Sequence, residues 1–143
     1  MTHQSATSAL KFASLFYAFI GLLMVASLLG GHALMAMFLD LTHLPFDGAQ
    51  AFASDSELVL GAISGGLLFG FGVMAHQITT LVYAPNPTLG GQIILRGILA
   101  WFVVDSTGSL LAGAWFNVVL NSAFLGLFVV PILAARRSQP VPA

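Results

Sequence analysis

Residues 58–84 read LVLGAISGGLLFGFGVMAHQITTLVYA and hold no Lys, Arg, Asp or Glu. At about 1.5 Å of rise per helical residue, the run exceeds the roughly 20 residues that a hydrocarbon core requires. A strand is excluded, because an isolated sheet in lipid would leave backbone N–H and C=O groups without partners. Pro85-Asn86-Pro87 ends the run: each proline lacks a backbone donor and turns the residue before it away from helix. The stretch therefore predicts a transmembrane helix, and the rest of the chain has to be read with lipid as its solvent.

Upstream, every residue between Lys11 and Asp40 is uncharged. That is far longer than the ~7–15-residue apolar core of a cleaved signal, so this segment is expected to stay and span. Asp40 to Glu57 is polar and acidic, with Asp47, Asp55 and the breakers Pro45 and Gly48, and reads as a solvated loop. Downstream, two further apolar runs flank Gly113, whose Ala112 and Ala114 neighbours suit a tight turn. The expected fold is all-α: a four-transmembrane-helix up-down bundle with helices at about 12–39, 58–84, 92–112 and 115–135. These form one domain over 1–137, followed by a flexible tail at 138–143. Pro131 is expected to free the Leu127 carbonyl and bend the last helix.

Composition agrees with this and excludes other classes. Hydrophobic residues make up 58% of the 143 and charged residues 6%, against about 25% charged in a soluble domain. The absence of cysteine excludes disulfides, thiolate metal sites and cysteine nucleophiles. A net charge of -1 with four Lys plus Arg provides no basic patch for nucleic acid. Those four cations set the expected orientation, since cations near span ends are retained in the cytoplasm. Lys11 precedes the first span, Arg96 falls in the first turns of the third, and Arg136 and Arg137 follow the fourth. Both termini are therefore expected on the cytoplasmic side, with the acidic loop outside, in a multi-pass protein of a bacterial inner membrane.

The polar residues inside the spans share a level. His32 lies eight residues from Asp40, Asp105 and Asn121 eight from Gly113, and Ser64 seven from Glu57, which is about 10–12 Å below the outer surface. A carboxylate there costs a few kcal/mol, at about 2.5 or more, unless it is paired or protonated. The sequence thus predicts that Asp105 pairs with His32, with Ser64, Ser109 and Asn121 completing the hydrogen bonds. Asn117, one turn from Asn121, either joins them or caps the last helix. Such a cluster serves as a ligand- or proton-binding pocket or as a structural clamp, interhelical polar bonds of ~0.6–2 kcal/mol being ordinary packing devices.

His76, Thr79 and Tyr83 share a face of the second span and form a second candidate ligand site. A haem held by His32 and His76 together is excluded, because the nineteen residues from Glu57 to His76 put it at another depth, by about 16 Å. No metal site is expected, since three or four ligands would have to converge. Gly61-x-x-x-Gly65 and Gly66-x-x-x-Gly70 strip two faces of the second span for close helix approach.

No residue has a catalytic role by this reading, and the cofactor stays unknown. The first functional expectation is an accessory or interaction subunit. It would sit among membrane lipids and pack through the glycine-rich helix onto a second copy, as a homo-oligomer, or into a larger membrane complex. The alternative is an oligomeric proton-coupled transporter using Asp105 and His32. Third comes a redox or lipid enzyme binding quinone or a single-ligand haem.

Overall fold

The computed structural model describes residues 1–138, and these are helical without a strand. The helices are α1 (His3–Ser27), α2 (Ala33–His43), α3 (Asp55–Ile78), α4 (Pro87–Leu111) and α5 (Trp115–Arg137). A π-helical turn, Thr79–Tyr83, extends α3. With that turn, α1, α3, α4 and α5 are long and apolar enough to cross a membrane, whereas α2 is an apolar helix too short to do so. The tail expected at 138–143 lies, beyond Ser138, outside the described residues.

The first span differs from the expected helix at 12–39. It begins nine residues earlier, at His3, where the Thr2 hydroxyl accepts from the Ser5 amide at 3.1 Å and caps the helix. Lys11 is therefore a half-buried residue within α1 and does not precede it. The helix ends at Ser27, and an elbow at Leu28–His32 separates it from α2. Gly30-Gly31 explains the break: each glycine disfavours helix by about 1 kcal/mol, and Gly31 takes a φ of +82° that other residues adopt only with strain. His32 follows it into the left-handed region, at φ +67°.

The third span begins at Pro87, five residues before the expected position 92. Proline is tolerated at the first helical position because its missing N–H would have no partner there. Asn86 supplies the cap, its Oδ1 accepting from the Leu89 amide at 3.0 Å. One motif thus stops α3 and starts α4, and Arg96 lies well inside α4, exposed on its surface. Pro131 sits inside α5 without interrupting it, and α5 runs on to Arg137.

The loop acids do more than present a solvated surface. Asp40 is buried, and both its oxygens accept from the Gly48 amide, at 2.9 and 3.0 Å. Glu57 and Ser54 form a reciprocal capping box at the start of α3, with Glu57 Oε2 accepting from the Ser54 amide at 2.8 Å.

α1 is the central helix, packing along α3 on one side and against α5 on the other, while α4 pairs with α5. The α1–α3 contact is backbone on backbone. A Cβ at Gly65 would lie 2.8 Å from the Gly21 carbonyl oxygen, and one at Gly72 would lie 2.7 Å from the Ser14 carbonyl oxygen. The core beneath this seam centres on Tyr17, whose ring meets Phe71, Trp101, Phe124 and Phe128 at centroid distances of 4.8–5.7 Å. The Met1 ammonium donates to the Ser138 hydroxyl at 3.0 Å, and His3 Nε2 lies 2.9 Å from the Ala84 carbonyl oxygen.

Candidate functional site

The short turn at Gly113, φ +80°, folds α5 back along α4 and sets a simple register. Residues four before and four after the glycine meet: Asn117 Nδ2 donates to Ser109 Oγ at 2.8 Å. Residues eight before and eight after also meet: Asn121 Nδ2 donates to Asp105 Oδ2 at 2.7 Å. Two further bonds cross-link these levels, from Asn117 Nδ2 to Asp105 Oδ2 at 3.3 Å and from Asn121 Nδ2 to Ser106 Oγ at 3.2 Å. Both carboxamides turn their N–H groups to the same carboxyl oxygen, which accepts from each. Asp105 Oδ1 accepts no hydrogen bond from the described residues, and no Lys or Arg among them pairs with the carboxylate.

α2 closes the third side. Its last turns and the α4–α5 hairpin line a wide-open cavity of about 460 Å³, with Phe38, Leu39, Thr42 and His43 on one side and Val104, Asp105, Gly108, Ser109, Ala112, Ala114 and Asn117 on the other. Local hydrogen bonds hold the polar end of α2. The Thr42 hydroxyl donates to the Leu39 carbonyl at 2.8 Å, and His43 Nδ1 lies 2.8 Å from the same oxygen, so that Nδ1 carries the proton. Trp115 Nε1 donates to the Leu44 carbonyl at 3.4 Å and ties the end of α2 to the start of α5. The cavity thus combines an apolar wall with one carboxylate, one imidazole, two hydroxyls and a carboxamide, the mixture typical of small-molecule sites.

Of the residues expected in the first cluster, Asp105, Ser109, Asn117 and Asn121 are brought together. His32 and Ser64 are not among Asp105's partners. The break at Gly30-Gly31 carries His32 into the elbow, where its ring meets Phe52 at 6.2 Å. Ser64 is exposed on α3, which packs on α1 rather than beside α4. Ser106, Thr42 and His43 join the site without having been expected. The signal for the last two was the Gly-Gly pair, which restarts the helical register and delivers a fresh face at Phe38, Thr42 and His43.

In the second expected set, Thr79 and Tyr83 are buried in the π turn, while His76 is half-buried one turn earlier. The Tyr83 ring packs on His3 at 5.1 Å, and the Thr79 and Thr80 hydroxyls have no hydrogen-bond partner among the described residues. Among the described residues no three His, Asp or Glu side chains converge as a metal site would need. The glycine faces divide sharply. Gly61 lies under the Phe52 ring and Gly65 against α1, whereas a Cβ at Gly66 or Gly70 would meet nothing within 4 Å.

By helix length and composition, this is a multi-pass membrane protein with a polar cluster between its last two spans. No family model matches the chain, and searches of curated proteins and of solved structures find no similar protein.

Proposed function

We propose that this protein binds a small polar ligand in the cavity between α2, α4 and α5, with Asp105 as the anchor. The observation that carries this reading is the cavity itself: about 460 Å³ beside a carboxylate whose second oxygen is unused. An apolar bundle with a purely structural polar clamp has no need of such a space, and a space of this size suits a ligand of modest mass. Proton-coupled transport is the form of this reading in which the ligand moves. His43, rather than His32, then supplies the second titratable group. Four spans are too few to enclose a route alone, so this form requires an oligomer.

The orientation belongs to the same proposal: an up-down bundle in a bacterial inner membrane with both termini in the cytoplasm. Supporting it are the Met1–Ser138 and His3–Ala84 contacts, which join the two termini and the Pro85–Pro87 turn at one end. Arg136 and Arg137 lie at that end, while Asp40, Asp47, Asp55 and Glu57 lie in or beside the loop between α2 and α3.

A second reading is favoured by a different observation. Gly66 and Gly70 leave an exposed, side-chain-free strip on α3 beside Ile63, Leu67 and Met74, and close approach of a further helix is what such strips permit. On this reading the chain is an accessory subunit docked through α3 onto a second copy or a partner. Native mass spectrometry of gently extracted protein tests both. The pocket reading expects a small-molecule adduct that disappears in Gly108→Leu, a change that fills the cavity from a position with open space around it. The accessory reading expects a multimer that dissociates in Gly66→Leu with Gly70→Leu. A bare monomer in wild type would count against both.

A further inference from the structure

The chemistry of the cavity specifies the charge of its occupant. Asp105 Oδ2 is taken by two carboxamide N–H groups, which are neutral donors and bring no positive charge to the carboxyl group. No Lys or Arg lines the cavity. Arg96, the cation on the same helix, lies nine residues away, about 13 Å along the axis. Lys11 belongs to α1, and Arg136 and Arg137 end α5, fifteen and sixteen residues from Asn121. His43 supplies the imidazole of the lining, with its Nδ1 turned to the Leu39 carbonyl; a carboxylate within an apolar span, without a Lys or Arg partner, is stabilised by a cation or by a proton.

The rest of the lining narrows the class. Asp105 Oδ1, the Ser109 and Thr42 oxygens and the Asn117 carbonyl group offer acceptors, while Phe38, Leu39, Val104 and Ala112 form an apolar wall. A multivalent metal is poorly served by a single carboxylate, and no three His, Asp or Glu side chains among the described residues converge. A primary ammonium has three donors to distribute over such acceptors. Resting on the pocket reading above, we infer that the cavity selects an amphipathic monocation, a primary ammonium on a compact apolar body, with the ammonium on Asp105 Oδ1 and the body against Phe38 and Val104.

Calorimetric titration of the protein in nanodiscs, with empty discs subtracted, tests this with three probes of one shape: benzylammonium, benzyl alcohol and benzoate. Benzylammonium is expected to bind about tenfold or more tighter than benzyl alcohol, as a charge-assisted hydrogen bond implies. Benzoate is expected not to bind. Asp105→Asn should erase the preference for the cation while leaving benzyl alcohol binding in place. Equal affinity for the three wild-type titrations would overturn the cation inference and leave the pocket reading standing, with no variant needed. No binding of any probe would overturn both. The ammonium chemistry is shared by free amines and by the headgroup of phosphatidylethanolamine. Repeating the titration in phosphatidylglycerol discs with and without that lipid separates the two, because a lipid ligand displaces benzylammonium and a bystander does not.

Discussion

Two alanine substitutions two residues apart on α3 separate the packed glycine face from the open one. A Cβ at Gly72 would lie 2.7 Å from the Ser14 carbonyl oxygen and would collide with the Ala18 backbone, where ordinary contact begins at 3.4 Å. Clearing the Ser14 oxygen alone requires α1 and α3 to part by roughly 0.7 Å, and the Ala18 backbone requires more, which forfeits a sizeable share of the dispersion along the seam. Backbone atoms on both sides have no rotamer into which to retreat. Overpacking of this kind costs about 1–3 kcal/mol. A Cβ at Gly70 would meet nothing within 4 Å. Both substitutions gain the same helix propensity, about 1 kcal/mol at most, so Gly72→Ala is expected to be less stable than Gly70→Ala by the overpacking alone. Reversible unfolding in mixed micelles of a mild detergent and dodecyl sulfate, followed by circular dichroism, measures the difference. Equal stability of the two variants would show that α1 and α3 do not meet along Gly21, Gly65 and Gly72. Gly61→Ala provides an internal scale: its neighbour is the Phe52 ring, which can swing aside, and its loss should fall between the other two.

Asn121→Leu removes the 2.7 Å donor to Asp105 from a residue only 4% exposed, and should destabilise by about 1–3 kcal/mol in the same unfolding assay. Asn117→Leu removes a longer 3.3 Å bond to the carboxylate together with the 2.8 Å bond to Ser109, but from a half-buried site, and should cost less; the reverse order would remove Asn121 as the principal donor. Ser54→Ala breaks the reciprocal cap of α3 and should lower stability by about 1 kcal/mol, a result contradicted by an unchanged unfolding midpoint. Single cysteines at Gly48 and Ser138, labelled by an impermeant maleimide in intact cells, should react at the first position and not at the second, and the opposite pattern would invert the proposed orientation.

How far the sequence could be read follows from the kind of signal each feature leaves. The α4–α5 hairpin was legible because one glycine fixes it. Gly113 as the turn makes Asp105 face Asn121 and Ser109 face Asn117 by counting alone. The broken first span was not, because apolar content is continuous from Phe12 to Leu39 and lipid tolerates both a long helix and a bent one. Only the Gly30-Gly31 backbone records the break, and with it went the expected level of His32. Ser64 was placed by depth, but depth does not give the neighbour. α3 turns toward α1 because Gly65 and Gly72 allow backbone approach there, and Ser64 is left on the outside. The polar starts of α1 and α4 were missed for another reason, that Thr2 and Asn86 carry their helices outward through hydrogen bonds that hydropathy does not register.

Lipid offers little hydrophobic drive between helices, so each pair must be held by close approach or by polar bonds. This chain uses the two devices in different places. α1 and α3 are joined by backbone contact, and α1 has 33% of its apolar window buried. α4, with 17% buried, leans on α5 through the carboxamide bonds to Asp105, Ser106 and Ser109. On the proposed reading, a clamp and a binding site are compatible accounts of the polar cluster, because the two oxygens of Asp105 serve different ends. Oδ2 is committed to Asn117 and Asn121 and holds α4 in place, while Oδ1 accepts from no described residue and is free for an occupant of the cavity. An asparagine at this position could still offer one oxygen to both donors, so the clamp would survive the loss of charge and the choice of ligand would not. On the proposed reading, the carboxylate, as distinct from the carboxamide that would suffice for packing, is the part of the arrangement that serves binding.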